Sequence, residues 1–72
     1  MRVPRKVREL VNDLVRAGFL DRGGKGSHRN YSHPSGVRIT LSGRPGDDAK
    51  RYQEQEVAQG IAAARAARGG RP

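Results

Sequence analysis

The sequence contains no cysteine and no tryptophan, and its aromatic residues are one Phe and two Tyr. The lack of cysteine excludes disulfide bonds and fits a reducing compartment. Two histidines and scattered short carboxylates make a poor structural metal site, so we expect neither a metal nor another cofactor. Small domains often depend on disulfides, a metal or a partner, and a partner subunit is the remaining source of added stability.

Acidic residues are also scarce. The chain has seven Asp and Glu but fifteen Lys and Arg, which gives a formal net charge of +8. No carboxylate cluster could hold magnesium, since the adjacent Asp47 and Asp48 suit capping and surface roles. The positive charge recurs along the chain from Arg2 to Arg51 and is not confined to one tail. Such a field favours a polyanionic partner through phosphate contacts and counterion release. The plainer alternative is a charged surface that keeps the domain soluble.

Long apolar runs are absent too. No segment approaches the length of a membrane span or a signal-peptide core, so we expect a cytoplasmic protein without membrane contact. The length allows one domain, which we place at residues 1–66, followed by a frayed tail at residues 67–72. Sixteen large apolar or aromatic residues give a small core, so we expect the isolated chain to fold only marginally.

Residues 4–17 are predicted to form an amphipathic helix. Apolar residues recur there at i, i+3, i+4, i+7 and i+8, which places one stripe on a 3.6-residue period. The stripe consists of Val7, Leu10, Val11, Leu14 and Val15. Pro4 suits the first turn of a helix, and Gly18 suits the left-handed position just after the C-terminal end.

Three strands are predicted after this helix. The first begins near Phe19 and is short, because three glycines interrupt residues 23–26. Residues 27–33 form the second strand and residues 37–41 the third, with a proline–glycine turn between them. The third strand has the alternation of a half-buried strand. Its apolar residues are Val37, Ile39 and Leu41.

A second helix is predicted after Asp47 or Asp48, because either side chain can cap a helix N-terminus. Its inner stripe is Tyr52, Val57, Ile61 and Ala64. The order is therefore α-β-β-β-α. The two helices would pack on one face of a small antiparallel sheet and leave the other face open, which is a two-layer α+β fold.

Strand alternation places His28 on the open face of this sheet. If Tyr31 points to the core, residues 28, 30 and 32 point away from it, and Arg38 and Thr40 share that face on the next strand. Hydroxyl, amide and guanidinium groups there can bind a phosphate and stabilise its developing charge. Imidazole can act as a base or an acid near neutral pH, and RNA supplies its own nucleophile, the 2′-hydroxyl. The alternative is an ordinary polar residue on a surface strand.

Two further features have plainer interpretations. Residues 23–27 lack the spacing of a Walker motif and precede no helix, so we predict a turn that lets an RNA backbone come close. His33 lies on the opposite side of its strand from His28, and we expect it to have a structural role at the hairpin end.

Three segments stand out as motifs, and they read LVRAGF at residues 14–19, GSHRNYSHP at residues 26–34 and GVRITL at residues 36–41. Together they resemble the HicA toxin family, and Gly-Ser-His-x-x-Tyr-x-His-Pro is their most specific string. The resemblance covers roughly residues 4–61. It implies a fold like that of double-stranded-RNA-binding domains, in agreement with the order of elements predicted above.

The resemblance also implies a toxin that cleaves messenger RNA and is held inactive by a cognate HicB-type antitoxin. The family's catalytic histidine falls on His28, and Gly26 and Ser27 match the small residues that precede it. The basic residues nearest to it in sequence or across the strands, for phosphate contacts, are Lys25, Arg29 and Arg38. Further expected contacts with RNA are Asn30, Ser32 and Thr40. We therefore predict a metal-independent endoribonuclease.

Two alternatives from other classes stay open. One is a non-catalytic RNA-binding module of the same fold, which would bind by shape and phosphate contacts and produce no new RNA ends. The other is a structural subunit that needs a partner to fold, and it would show no salt-dependent binding of RNA.

Overall fold

A computed structural model describes residues 3–69 of the chain, which form two helices and three strands. In chain order the elements are α1 (Val7–Arg16), β1 (Leu20–Gly23), β2 (Arg29–Ser32), β3 (Arg38–Leu41) and α2 (Arg51–Gly69). The strands form one antiparallel sheet in the order β1-β2-β3. The predicted α+β fold with the order α-β-β-β-α is confirmed, although β2 and β3 are shorter than the predicted strands.

The sheet buries one face and exposes the other. Tyr31 of β2 lies opposite Ile39 of β3, and both side chains are buried in one core cluster with residues of the two helices. Strand alternation sends their neighbours to the opposite side. That side, called here the open face, carries the pairs Asn30–Thr40 and Ser32–Arg38. The predicted alternation of β2 and β3 is therefore confirmed.

Helix α1 begins at Val7, three residues later than predicted, and Pro4 lies before it. Its N-cap residue is Lys6, whose backbone is extended and whose N–H donates to Glu9 Oε1 at 3.0 Å. The prediction that Pro4 lies in the first turn is wrong. The helix begins later because of tertiary contacts: the residues just before it and in its first turn are hydrogen-bonded to a loop that is distant in the chain.

That loop joins β3 to α2 and holds the start of α1 through three backbone hydrogen bonds. They connect Val7 to Asp47, Arg8 to Pro45 and Arg5 to Ala49, with N···O distances of 2.9, 3.0 and 2.6 Å. The Lys6 ammonium also lies 2.6 Å from a carboxylate oxygen of Asp48. We call this set of contacts the α1 junction.

The inward face of α1 is narrower than the predicted stripe. Val7, Leu10 and Leu14 are buried and Val11 is partly buried, but 57% of Val15 is exposed. Contrary to the prediction, Val15 does not belong to the core, since at about 100° per residue it lies at the lateral edge of the stripe, away from Leu10 and Leu14.

Gly18 ends α1 in the left-handed conformation that the sequence predicts, with φ of 98°. A Cβ at this position would lie 3.3 Å from Nε2 of His33. His33 is buried, its ring is tilted against that of Phe19 at 5.1 Å, and its Nδ1 accepts the Ser35 N–H at 3.0 Å. These contacts support the structural role predicted for His33, which packs the hairpin end against the end of α1.

Helix α2 begins at Arg51 and is not capped by Asp47 or Asp48, so that prediction is wrong. Gln53 supplies the cap, because its Oε1 accepts the Lys50 N–H at 2.9 Å. The same amide donates to the carbonyl of Ser42 at 2.9 Å, which ties the helix start to the end of β3. The two aspartates are engaged elsewhere: Asp47 accepts the Arg44 N–H, and Asp48 pairs with Lys6.

The buried positions of α2 follow the capping glutamine at helical spacing. Val57 and Ala64 are buried as predicted and Ile61 is partly buried, but 52% of Tyr52 is exposed. Tyr52 precedes the buried Gln53 by one residue and so points away from the core. The helix continues to Gly69, three residues into the predicted tail at 67–72, and residues 70–72 lie outside the described residues. The domain boundary at residue 66 stays a prediction.

Replacement of Gly18 by alanine should destabilise the domain. The left-handed backbone and the nearby His33 ring both oppose a Cβ, and we expect a loss of about 1–3 kcal/mol in the free energy of unfolding. In a domain of this size, each kcal/mol lowers the melting temperature by roughly 4–8 °C. Gly46→Ala is the matched control, because a Cβ there meets open space. Equal melting temperatures for the two variants would contradict this account.

Candidate nucleic-acid interface

His28 lies in a turn that leads into β2. Its backbone N–H donates to the carbonyl of Lys25 at 3.0 Å, and the residue is exposed. Because β2 begins only at Arg29, strand alternation does not fix the side to which His28 points. The prediction that it shares a strand face with Asn30 and Ser32 is therefore not supported. We call residues 24–28 the His28 turn.

Glycine is required in this turn. A Cβ on Gly24 would collide with the backbone carbonyl of His28, so the chain folds back on itself only without a side chain there. Gly26 has a φ of 60°, a conformation that residues with a Cβ rarely adopt. The local backbone of His28 thus depends on the glycines that the sequence suggested would break the first strand.

The open face carries the polar groups that were predicted there. The hydroxyl of Thr40 donates to Oδ1 of Asn30 at 2.8 Å, and Nε of Arg22 donates to Oγ of Ser32 at 2.9 Å. Arg38 lies beside Ser32 on the neighbouring strand. The structure brings these groups together on one face. It also places Arg22 of β1 there, a residue that was not predicted to belong to the site.

The basic residues predicted to bind phosphate are distributed over more than one place. Arg38 pairs with Ser32 at the end of β2 far from His28, about 13 Å along the chain at roughly 3.3 Å per residue. Arg29 lies on the same side of β2 as Tyr31, and its guanidinium is 4.0 Å from the carboxylate of Asp21. With the exposed Lys25 in the His28 turn, the predicted basic residues thus lie at the turn and on both sides of β2.

A cavity of about 300 Å³ lies between α1, the His28 turn and the loop after β3, and we call it the α1 cavity. Gly26 and Ser27 contribute to its wall, as expected of residues close to the site. The lining also includes two arginines and an asparagine that were not predicted as site residues: Arg8, Arg44 and Asn12. A signal existed for Arg44, because antiparallel pairing brings the residues after Leu41 to the same end of the sheet as the His28 turn. For Arg8 and Asn12 on α1, strand pairing gives no such signal.

Tyr31 also lines the α1 cavity. Burial, reinforced by the negative charge of Asp21 and partly opposed by Arg29, raises the pKa of the Tyr31 phenol. The phenol therefore remains protonated under physiological conditions. It contributes a neutral ring and hydroxyl to the cavity wall.

Over residues 3–69, no three or more His, Asp or Glu side chains are grouped so that they could hold a metal ion. In the same part of the chain, no helix is both long enough and apolar enough to span a membrane.

Comparison with known proteins identifies the family of this chain. The family model described as HicA toxin of bacterial toxin–antitoxin matches residues 7–64, which extend from the first residue of α1 into the last third of α2. No curated protein matches the chain. The matched segment contains all three strands, the His28 turn and every residue that lines the α1 cavity. The chain therefore belongs to the HicA family of toxins from bacterial toxin–antitoxin systems.

Proposed function

We propose that this toxin is an endoribonuclease that cleaves messenger RNA, with His28 as general base or general acid. The observation that carries the proposal is the placement of His28. It is an exposed imidazole in a turn held by glycines, and within the described chain no hydrogen bond or ion pair engages its ring. A free imidazole beside basic side chains can approach an RNA phosphate without breaking an existing contact.

The chemistry requires little from the protein. A base removes the proton of the 2′-hydroxyl, whose oxygen attacks the adjacent phosphorus while the bond to the 5′-oxygen of the next nucleotide breaks. An acid returns a proton to that oxygen, and the products are a 2′,3′-cyclic phosphate and a 5′-hydroxyl. One positioned group of this kind accelerates a reaction about 10²–10⁴-fold. Cationic side chains stabilise the extra negative charge on the phosphorane.

The arrangement of charge supports RNA as the substrate. Lys25 lies in the His28 turn, Arg22 and Arg38 lie on the open face, and Arg29 lies on the other side of β2. Lys25 and Arg29 are close to His28 in the chain, whereas Arg22 and Arg38 lie at the far end of β2, beside Ser32. This spacing suits an RNA strand that passes over His28 and continues along the sheet. Asn30 and Thr40 bond to each other on the open face, and each has further capacity for a sugar or phosphate contact.

We further propose that a cognate HicB-type antitoxin covers the open face and the His28 turn. The net charge of +8 favours a partner with an acidic surface. Such a partner would exclude RNA and would also stabilise a domain with a small core, by about 2.7 kcal/mol at a concentration one hundred times its dissociation constant.

The second candidate function is a non-catalytic RNA-binding module. The polar open face favours it, because that surface alone can bind phosphate. It predicts binding that weakens with salt and leaves RNA intact.

His28→Ala should abolish cleavage without changing the fold, because the side chain is exposed and contacts nothing that the fold needs. The measurement is cleavage of a mixed messenger RNA in the presence of EDTA, with the melting temperature of each chain as the check on folding. His33→Ala is the contrasting variant. Since His33 is buried against Phe19, it should lower the melting temperature and reduce cleavage only in proportion to the unfolded fraction.

Two results would contradict this assignment. Wild-type protein that binds RNA but does not cut it would favour the binding module. Cleavage by His28→Ala at the wild-type rate would remove His28 from the reaction.

Gly24→Ala should reduce the cleavage rate per folded molecule, and it should also lower the melting temperature because the added Cβ meets a backbone carbonyl. The added Cβ forces the His28 carbonyl to move, and a displacement of about 1 Å in a reacting group can cost on the order of 10²-fold in rate. The initial rate of cleavage at saturating RNA is the measurement, and Gly46→Ala, in a different loop, is the control. If Gly24→Ala cleaves as fast as the control, then the turn does not set the position of His28.

Binding of the antitoxin should protect His28 from chemical modification. Titration of an imidazole-specific acylating reagent, followed by mass spectrometry of the peptides, should show a reactive His28 in the free chain and an unreactive one in the complex. His33 serves as the internal control, since it is buried and should react slowly in both states. A tight complex in which His28 reacts as in the free chain would contradict the proposed interface.

A further inference from the structure

The α1 cavity has no part in the cleavage chemistry described above. Its floor is apolar and is made by side chains from α1, β2 and β3: Val7, Val11, Tyr31 and Leu41. Its polar lining is Asn12, Ser27 and three arginines, Arg8, Arg29 and Arg44. An apolar floor with a few polar groups at the rim is the usual composition of a small-molecule site.

The size of the cavity limits what can enter. Its volume of about 300 Å³ is at the small end of the range for ligand sites, so it suits one compact group and not an extended ligand. A nucleobase is flat, with two apolar faces and a polar edge. The apolar floor can contact one of its faces, while Asn12 offers an amide to its edge.

The charge around the cavity is positive. Within residues 3–69, no ion pair joins Arg8 or Arg44 to a carboxylate, whereas Arg29 has Asp21 at 4.0 Å. The first N–H groups of α1 are occupied by the α1 junction, so an anion here would be bound by guanidinium side chains and not by the helix end. A ligand with phosphates on either side of an apolar group fits these arginines.

The cavity is also next to the reacting histidine. Ser27 lines it, and His28 is the following residue, with a Cα–Cα separation of about 3.8 Å. We propose that the α1 cavity binds one unstacked base of the RNA, beside the phosphate on which His28 acts. This inference rests on the proposed function for its choice of RNA as the ligand. It makes the preferred substrate a single strand, because a paired base cannot enter without leaving its helix.

A side chain of a protein partner is the competing occupant. An apolar side chain would fill the floor, but it would leave Arg8 and Arg44 partly desolvated without a counter-charge unless the partner also placed separate carboxylates beside them. A nucleotide supplies both the flat apolar group and the anions. The balance of the observations therefore favours RNA.

The test uses a probe that the enzyme cannot cut. In a fluorescent 2′-O-methyl hexanucleotide, the 2′-oxygen has no proton to lose, so binding is measured apart from catalysis. Val11→Phe fills the cavity from its half-buried position on α1, and we expect about tenfold weaker binding, the scale of one stacked base. Val15→Phe is the matched control, one turn later on the same helix and exposed, and it should bind as the wild type does.

A second probe shows whether the base is what the cavity binds. A wholly abasic hexanucleotide carries the same phosphates, and Val11→Phe should bind it as tightly as the wild type does. The loss on filling the cavity should thus appear only with the base-bearing strand, a non-additivity that marks direct contact. A blunt RNA duplex should likewise show no difference between the two proteins. If Val11→Phe folds poorly, the smaller Val11→Leu replaces it, with an expected loss of about threefold.

Three results would overturn the inference. Val11→Phe could bind the base-bearing strand as the wild type does. It could weaken binding of both hexanucleotides equally. It could leave both unchanged and weaken binding of the antitoxin, which would assign the cavity to a protein interface. The proposed function is contradicted by a different result. If the wild-type protein shows base-dependent binding but does not cleave ordinary RNA, the cavity binds a base and the catalytic role of His28 is wrong.

Discussion

The α1 junction is the constraint on which much of the structure depends. Backbone hydrogen bonds and one ion pair hold the start of α1 to the loop between β3 and α2. They determine where α1 begins and leave Pro4 outside it. The same loop contributes Gly43, Arg44 and Pro45 to the α1 cavity, so the junction also forms one wall of that cavity. A domain with a small apolar core thus uses backbone polar groups to orient its first helix.

The sheet separates two environments, and the His28 turn lies at the end where they meet. On one side, the open face is polar and carries Arg22 and Arg38. On the other side, the α1 cavity combines an apolar floor with arginines. Because the turn precedes β2 and is not part of it, strand alternation does not determine the side of the sheet to which the His28 side chain points. A nucleic-acid strand crossing this end could bind both surfaces while its backbone passes the imidazole.

Local periodicity was enough to predict the order of elements, the core face of β2 and β3, and the position of Gly18. Tyr31 and Ile39 alternate with polar neighbours, and that pattern is a direct consequence of the pleat. The errors have a different origin. Gln53, not Asp47 or Asp48, caps α2, and that contact depends on the exact residue at which the helix begins. Arg8 and Arg44 line the same cavity although they are far apart in the chain. A turn at residues 23–27 was predicted, but the second strand was expected to begin at residue 27 and it begins at Arg29. The sequence did not show that His28 lies in the turn, because the turn depends on glycine backbone conformations and not on a side-chain pattern.

The irregular first strand has a consequence for how this protein can associate. β1 is an edge of the sheet, has only four residues, and its pairing with β2 shifts register between Asp21 and Gly23. A short, charged and bulged edge is a poor template for another strand, so it discourages self-association by backbone pairing. Any partner that approaches this edge must therefore recognise side chains and shape. At this edge, the sheet thus offers no continuous ladder of exposed amides to a second strand.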